Sequence, residues 1–129
     1  MASEKGNPLP PLHELESLVM EEVWSQSQAT VREVMTALNE GERVRAYTTV
    51  MTIMARLDAK GLLTRVRRGK TDVYKPVMTR DQYLAARAEG EVKALVDEFG
   101  DLALAQFAEQ VDQLDARRLD ALRRLAERD

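Results

Sequence analysis

Cysteine is absent from the 129 residues, and histidine occurs once, as His13. Disulfides, thiolate metal sites and cysteine nucleophiles are therefore excluded, and a single imidazole at the start of a helix reads as a surface residue. Aromatic side chains are scarce too: two Phe, three Tyr and one Trp leave little to line a ligand cavity. No run approaches the roughly 20 apolar residues that a membrane-spanning helix needs. The opening MASEKGNPLPPL lacks the apolar core of a signal peptide, so the expected location is the cytoplasm. Carboxylates are plentiful, but they fall on helix faces at the spacing of i, i+4 ion pairs. No stretch gathers a nucleophile, a base and an oxyanion donor, so the sequence predicts no enzyme, no metal and no cofactor.

What is present is an uneven distribution of charge. The net charge is -3, but residues 1–42 hold 2 basic and 8 acidic side chains, residues 43–75 hold 9 and 2, and residues 76–129 hold 8 and 12. A strongly cationic middle thus lies between two anionic flanks, and such a block is the usual electrostatic footprint of a phosphate-binding surface.

Hydrophobic periodicity divides the chain. Residues 1–11, with Pro8, Pro10 and Pro11, read as a disordered tail. Residues 12–77 hold three helical stretches and a hairpin. Leu12, Leu15, Leu18, Val19 and Val23 form the stripe of the first helix, closed by Trp24. Thr30 and Glu33, three apart, form a capping box that opens the second, whose apolar face is Val31, Val34, Met35 and Leu38. The third runs from Tyr47 to Lys60, buries Val50, Ile53, Met54 and Leu57, and stops at Gly61. Leu62–Arg67 and Asp72–Lys75 then read as strands joined by a turn with Gly69 where positive φ is needed. Residues 78–129 form a helical domain: Thr79 and Gln82 cap a long helix up to Gly100, and two shorter helices follow. Its stripes, Leu84, Val92, Leu95, Val96, Phe99, Phe107, Val111, Leu119, Leu122 and Leu125, are too many for about fifty residues to bury alone. A second copy across a two-fold axis would cover them, so these residues are the predicted dimer contacts.

Three helices followed by a basic hairpin is the order of a winged helix-turn-helix, and the fold class is mainly α with a small β-hairpin plus the helical dimerisation domain. In that arrangement the third helix enters the major groove of double-stranded DNA. Its outward face carries Thr48, Thr49 and Thr52, which are poor choices for a merely solvated helix. A threonine offers a hydroxyl to phosphates or base edges and a methyl to thymine, so these three are the candidate base readers. Arg43 and Arg45 before the helix, Arg56 further along it, and Arg65, Arg67, Arg68 and Lys70 in the wing are candidate phosphate contacts. Arg65 and Arg67, two apart, share one strand face while Thr64 and Val66 share the other. Tyr74 reads as core. Tyr47 fits either the core or the DNA contact set.

The runs LHELESLVMEEVW, TVREVMTAL, AYTTVMTIMARLDAKGLL and VYKPV resemble the penicillinase-repressor (BlaI/MecI/CopY) family of bacterial regulators, nearly throughout the chain from Leu12. The resemblance implies a winged-helix homodimer that represses transcription from a pseudo-palindromic promoter operator, with half-sites like TACA and TGTA, and that controls β-lactam or other stress-response genes. It also implies a membrane sensor protease as partner, cutting an Asn-Phe bond in the dimerisation region. The matching place here is Gln106 and Phe107, where Phe107 fits and Gln106 departs from the pattern. The copper-responsive branch senses metal through cysteines, which this chain lacks. The competing readings are a ligand-responsive regulator of the MarR or PadR kind and a winged helix used for protein contacts.

Overall fold

The computed structural model describes residue 9 and residues 11–127. The elements are α1 (Glu14–Gln26), α2 (Val31–Leu38), α3 (Tyr47–Ala59), β1 (Leu63–Arg68), β2 (Thr71–Pro76), α4 (Arg80–Phe99), α5 (Asp101–Asp112) and α6 (Ala116–Ala126). The fold is therefore mainly helical with one antiparallel hairpin, as the periodicity predicts. Two compact units divide between Arg87 and Ala88, inside α4, whereas the sequence pattern changes between residues 77 and 78. Among the described residues, no helix is long and apolar enough to cross a membrane.

The first unit closes around Val19, Met20, Val23, Val34, Val50, Met54, Leu57, Leu62 and Leu63, with Tyr74 and Tyr83 at its margin. The stripe of α1 is rotated from its expected phase: Met20 and Glu16 are buried while Leu18 is 39% exposed. Most of the tail lies outside the described residues, but Leu9 packs against the core, and its carbonyl accepts from Arg87 at 3.3 Å. Trp24 crosses the fold by donating its indole N–H to the Met78 carbonyl at 3.0 Å, with its ring 5.7 Å from that of Tyr83.

Local chemistry sets the element ends. Both predicted capping boxes form. Thr30 Oγ1 accepts from the Glu33 N–H at 3.1 Å while Glu33 Oε1 accepts from the Thr30 N–H at 2.9 Å. Thr79 and Gln82 repeat the pattern at 3.0 and 2.9 Å. Helix α3 ends in a Schellman motif: the Leu62 N–H reaches the Leu57 carbonyl and the Gly61 N–H that of Asp58, both at 3.0 Å. Gly61 sits at φ +83°, which a Cβ would strain.

The hairpin register runs from Leu63 opposite Pro76 to Arg68 opposite Thr71, so Gly69 (φ +64°) and Lys70 form a two-residue turn. Pro76 thus closes the ladder rather than interrupting it. Ala29 adds a third, one-residue edge, exchanging hydrogen bonds of 2.9 and 2.8 Å with Tyr74 and so tying the wing to the start of α2.

In the second unit only Ala103 is buried among the described residues. Val96 and Leu119 are half-buried, whereas Val92, Leu95, Phe99, Phe107, Val111, Leu122 and Leu125 are exposed. Leu84, at the end of the first unit, is exposed as well. Leu102, 72% exposed, and Leu104 extend this apolar surface beyond the residues expected from periodicity.

Candidate nucleic-acid interface

Helix α3 has two chemically distinct sides. Val50, Met54 and Leu57 are fully buried and Ile53 nearly so, whereas Thr48, Thr49, Thr52, Ala55, Arg56 and Ala59 are all exposed. The threonine hydroxyls therefore face outward. No side chain caps the helix start at Ala46, and an anion is favoured at such an uncapped helix N-terminus.

The loop that delivers α3 is held at its base. Asn39 grips the backbone of Arg45 twice: its Oδ1 accepts from the Arg45 N–H at 2.7 Å, and its Nδ2 donates to the Arg45 carbonyl at 3.0 Å. Asn39 looks in the sequence like a simple helix stop, yet it fixes where α3 begins. Arg43 and Val44 are exposed on this loop, and the Arg45 guanidinium donates to the Arg43 carbonyl at 3.2 Å.

An open groove runs between α3, the start of α2 and the wing. Tyr47, Met51, Thr52 and Ala55 line it from α3, Arg32 from α2, and Arg65, Arg67 and Lys70 from the hairpin. Four cations outnumber the two acids Glu33 and Asp72 in its lining, a balance that suits a sugar-phosphate strand. Arg65 and Arg67 share the hairpin face that carries Tyr74 and Asp72, while Arg68 lies on the other face with Val66 and Val73. Thr48, Thr49 and Arg56 are exposed outside the groove lining. Tyr47, left open by its sequence context, is 42% exposed, and the Arg32 guanidinium stands 5.7 Å from its ring centroid. Arg32 escaped the sequence reading because it lies outside the cationic block; its place at the second position of α2 is the only signal. Tyr74 is buried, as expected.

Two groups of ion pairs were not legible in the sequence. Glu16, with 0% exposure, receives Lys60 Nζ at 2.8 and 3.0 Å and the His13 N–H at 3.0 Å, joining α1 to the cap of α3. Burial pushes this carboxyl up, but the Lys60 ammonium and the His13 N–H outweigh it, so it lies below the ordinary glutamate value. The second involves the wing. Arg67 Nη1 meets Asp72 Oδ1 at 3.2 Å, Arg65 Nη1 meets Asp72 Oδ2 at 3.9 Å, and Arg65 Nε meets Asp58 Oδ2 at 3.9 Å.

In the second unit, Leu95, Phe99, Leu102, Ala103, Gln106 and Phe107 line one apolar cleft, and Val92, Leu122 and Leu125 contribute to another. Helix α5 continues unbroken through Gln106 and Phe107. Among the described residues, no cluster of His, Asp or Glu is arranged to hold a metal ion.

Known proteins share this architecture. The sequence is 41% identical over 116 residues to the transcriptional regulator BlaI of Mycobacterium tuberculosis, covering 88% of this chain and 80% of that protein. The solution structure of the DNA-binding domain of the repressor BlaI superposes with a TM-score of 0.51 at 27% identity, over 60% of this chain and 93% of that one. The Bacillus licheniformis BlaI monomer in complex with the blaP half-operator gives a TM-score of 0.49 at 28% identity, over 58% and 90%. The winged-helix fold of a repressor's DNA-binding domain is thus present, and residues 12–128 match the penicillinase repressor family, whose members are transcriptional regulators rather than enzymes. The chain belongs to the penicillinase repressor family.

Proposed function

We propose that this transcriptional repressor acts as a homodimer on a pseudo-palindromic promoter operator, each copy placing α3 in the major groove of one half-site. The observation that carries this reading is the groove: Thr52 of α3 and the Arg65/Arg67 face of the wing open onto the same space, with Thr48 and Thr49 exposed beside it. Thr52 from within it, and Thr48 and Thr49 from the exposed side of α3 beside it, read base edges and thymine methyls. Arg43, Arg45, Arg56 and the wing cations hold phosphates, with Arg32 and Tyr47 at the groove edge. The apolar surface left open by the second unit supports a second copy as its cover. Family resemblance points to β-lactam or other stress-response genes and to a membrane sensor protease that relieves repression. A protease would have to unwind α5 before it reached the Gln106–Phe107 bond.

Selection from randomised duplexes tests the reading. Two inverted half-sites are expected, and recovery of a lone half-site counts against the dimer. On the selected operator, Thr52→Ala lowers discrimination at one base position by about 1–3 kcal/mol. Lys70→Ala weakens binding to every sequence and flattens the log-affinity against log-salt slope by about 0.9. An unchanged slope removes Lys70 from the interface.

A further inference from the structure

Residues 43–75 carry nine basic side chains and only two acidic ones, Asp58 and Asp72, and both acids stand against the wing arginines. Asp72 lies directly opposite Arg67 in the hairpin register and bridges it to Arg65. The Arg67 guanidinium is folded back on its own turn: Nε donates to the Gly69 carbonyl at 3.2 Å while Nη1 faces Asp72. Ion pairs this exposed contribute little to stability, so the fold does not account for them. Their position does.

We infer that Asp72, with Asp58 behind it, is a built-in counter-ion of the wing that competes with DNA phosphate for Arg65 and Arg67 and so restrains backbone affinity. This rests on the proposed DNA-binding reading. A phosphate reaching the Arg65/Arg67 face must either displace the Asp72 carboxylate or sit within a few ångströms of it. That separation is well inside the screening length of roughly 8–10 Å at ordinary salt. Phosphate contacts supply essentially all binding to random DNA, whereas the threonine face adds base discrimination. A restrained wing therefore lowers retention on random sequence and leaves base reading to α3.

The test uses the full chain and a labelled random-sequence duplex, titrated at several salt concentrations. Asp72→Asn keeps the side-chain shape and removes the charge. It is expected to tighten binding about three- to tenfold at low salt and to steepen the salt slope. Asp58→Asn, which faces Arg65 alone, is expected to do the same by a smaller factor. Asp120→Asn, an equal charge change in α6, is the control for net charge and should shift affinity less than either. Asp72→Thr repeats the measurement with a good strand former, and thermal melts verify that each variant folds. Unchanged or weaker binding by both Asp72 variants overturns the inference and assigns Asp72 to holding the arginines in place for DNA. If the wild-type chain itself shows no salt-dependent binding, the DNA-binding reading falls with it, so the two failures are distinguishable.

Discussion

The two units of this chain differ in how many leucines they cover. In the first, Leu57, Leu62 and Leu63 are almost wholly sealed among valines and methionines, though Leu18 and Leu84 are exposed; in the second, Leu95, Leu102, Leu104, Leu122 and Leu125 all stand open while only Ala103 is buried among the described residues. Composition does not separate them, since both are built from amphipathic helices. Closure does: α1, α2, α3 and the hairpin cover one another's apolar sides, and the later helices have too few neighbours of their own. One unit covers most of its apolar sides itself, and the other leaves them open to the proposed company of a second copy.

The largest expected effect comes from denying it that company. Leu95→Asp with Leu122→Asp places a charge in each apolar cleft, where pairing would bury it without a partner. Light scattering should report a monomer, and affinity for a two-half-site operator should fall by about 10²–10⁴ as the linked second contact is lost. A persistent dimer would place the interface elsewhere. Next in size is a truncation that separates the two kinds of leucine. Leu57→Ala should cost about 2–5 kcal/mol in denaturant unfolding. Leu125→Ala, measured in the monomeric variant, should stay within about 0.5 kcal/mol. Comparable costs would mean that the second unit has a core of its own.

A smaller effect probes how the first unit is fastened. Glu16 has its folded-state value lowered below the ordinary 4.5, so its contribution is fully present above that value and is lost as pH falls through the folded one. Melting temperature should therefore drop on acidification, and Lys60→Met should shrink that acid-side loss while lowering stability at neutral pH by about 1–3 kcal/mol. Equal acid sensitivity in wild type and variant would dissociate Glu16 from the effect.

Periodicity and end chemistry made most of the first unit readable. The α3 stripe, the Thr30 and Thr79 caps, the Gly61 stop and the shared face of Arg65 and Arg67 all follow from neighbours within a few positions. What escaped depends on distance. Glu16 sits 44 positions from Lys60, and although a helical wheel places it among Leu12, Val19, Met20 and Val23, no nearby residue names the cation that pairs with it. Ala29 pairs with Tyr74 over a single residue, too short to leave any alternation. The phase error in α1, with Leu18 out and Met20 in, arose because apolar residues lie on more than one side of that helix and only packing against α2 and α3 chooses between them. Around the groove, the cations stand out in the sequence but their internal partners do not. The cationic block announced itself by count, while the carboxylates paired with it were lost in the same count.

Because α3 keeps its buried valine, isoleucine, methionine and leucine on one side and its three hydroxyls on the other, the two sets can vary independently. Exchanging the exposed Thr48, Thr49 or Thr52 leaves the buried side of α3 untouched, so under the proposed reading a change of base preference need not cost the fold. The Asn39 clasp keeps the scaffold still meanwhile, and the vocabulary of the helix can be rewritten while its grammar is left alone.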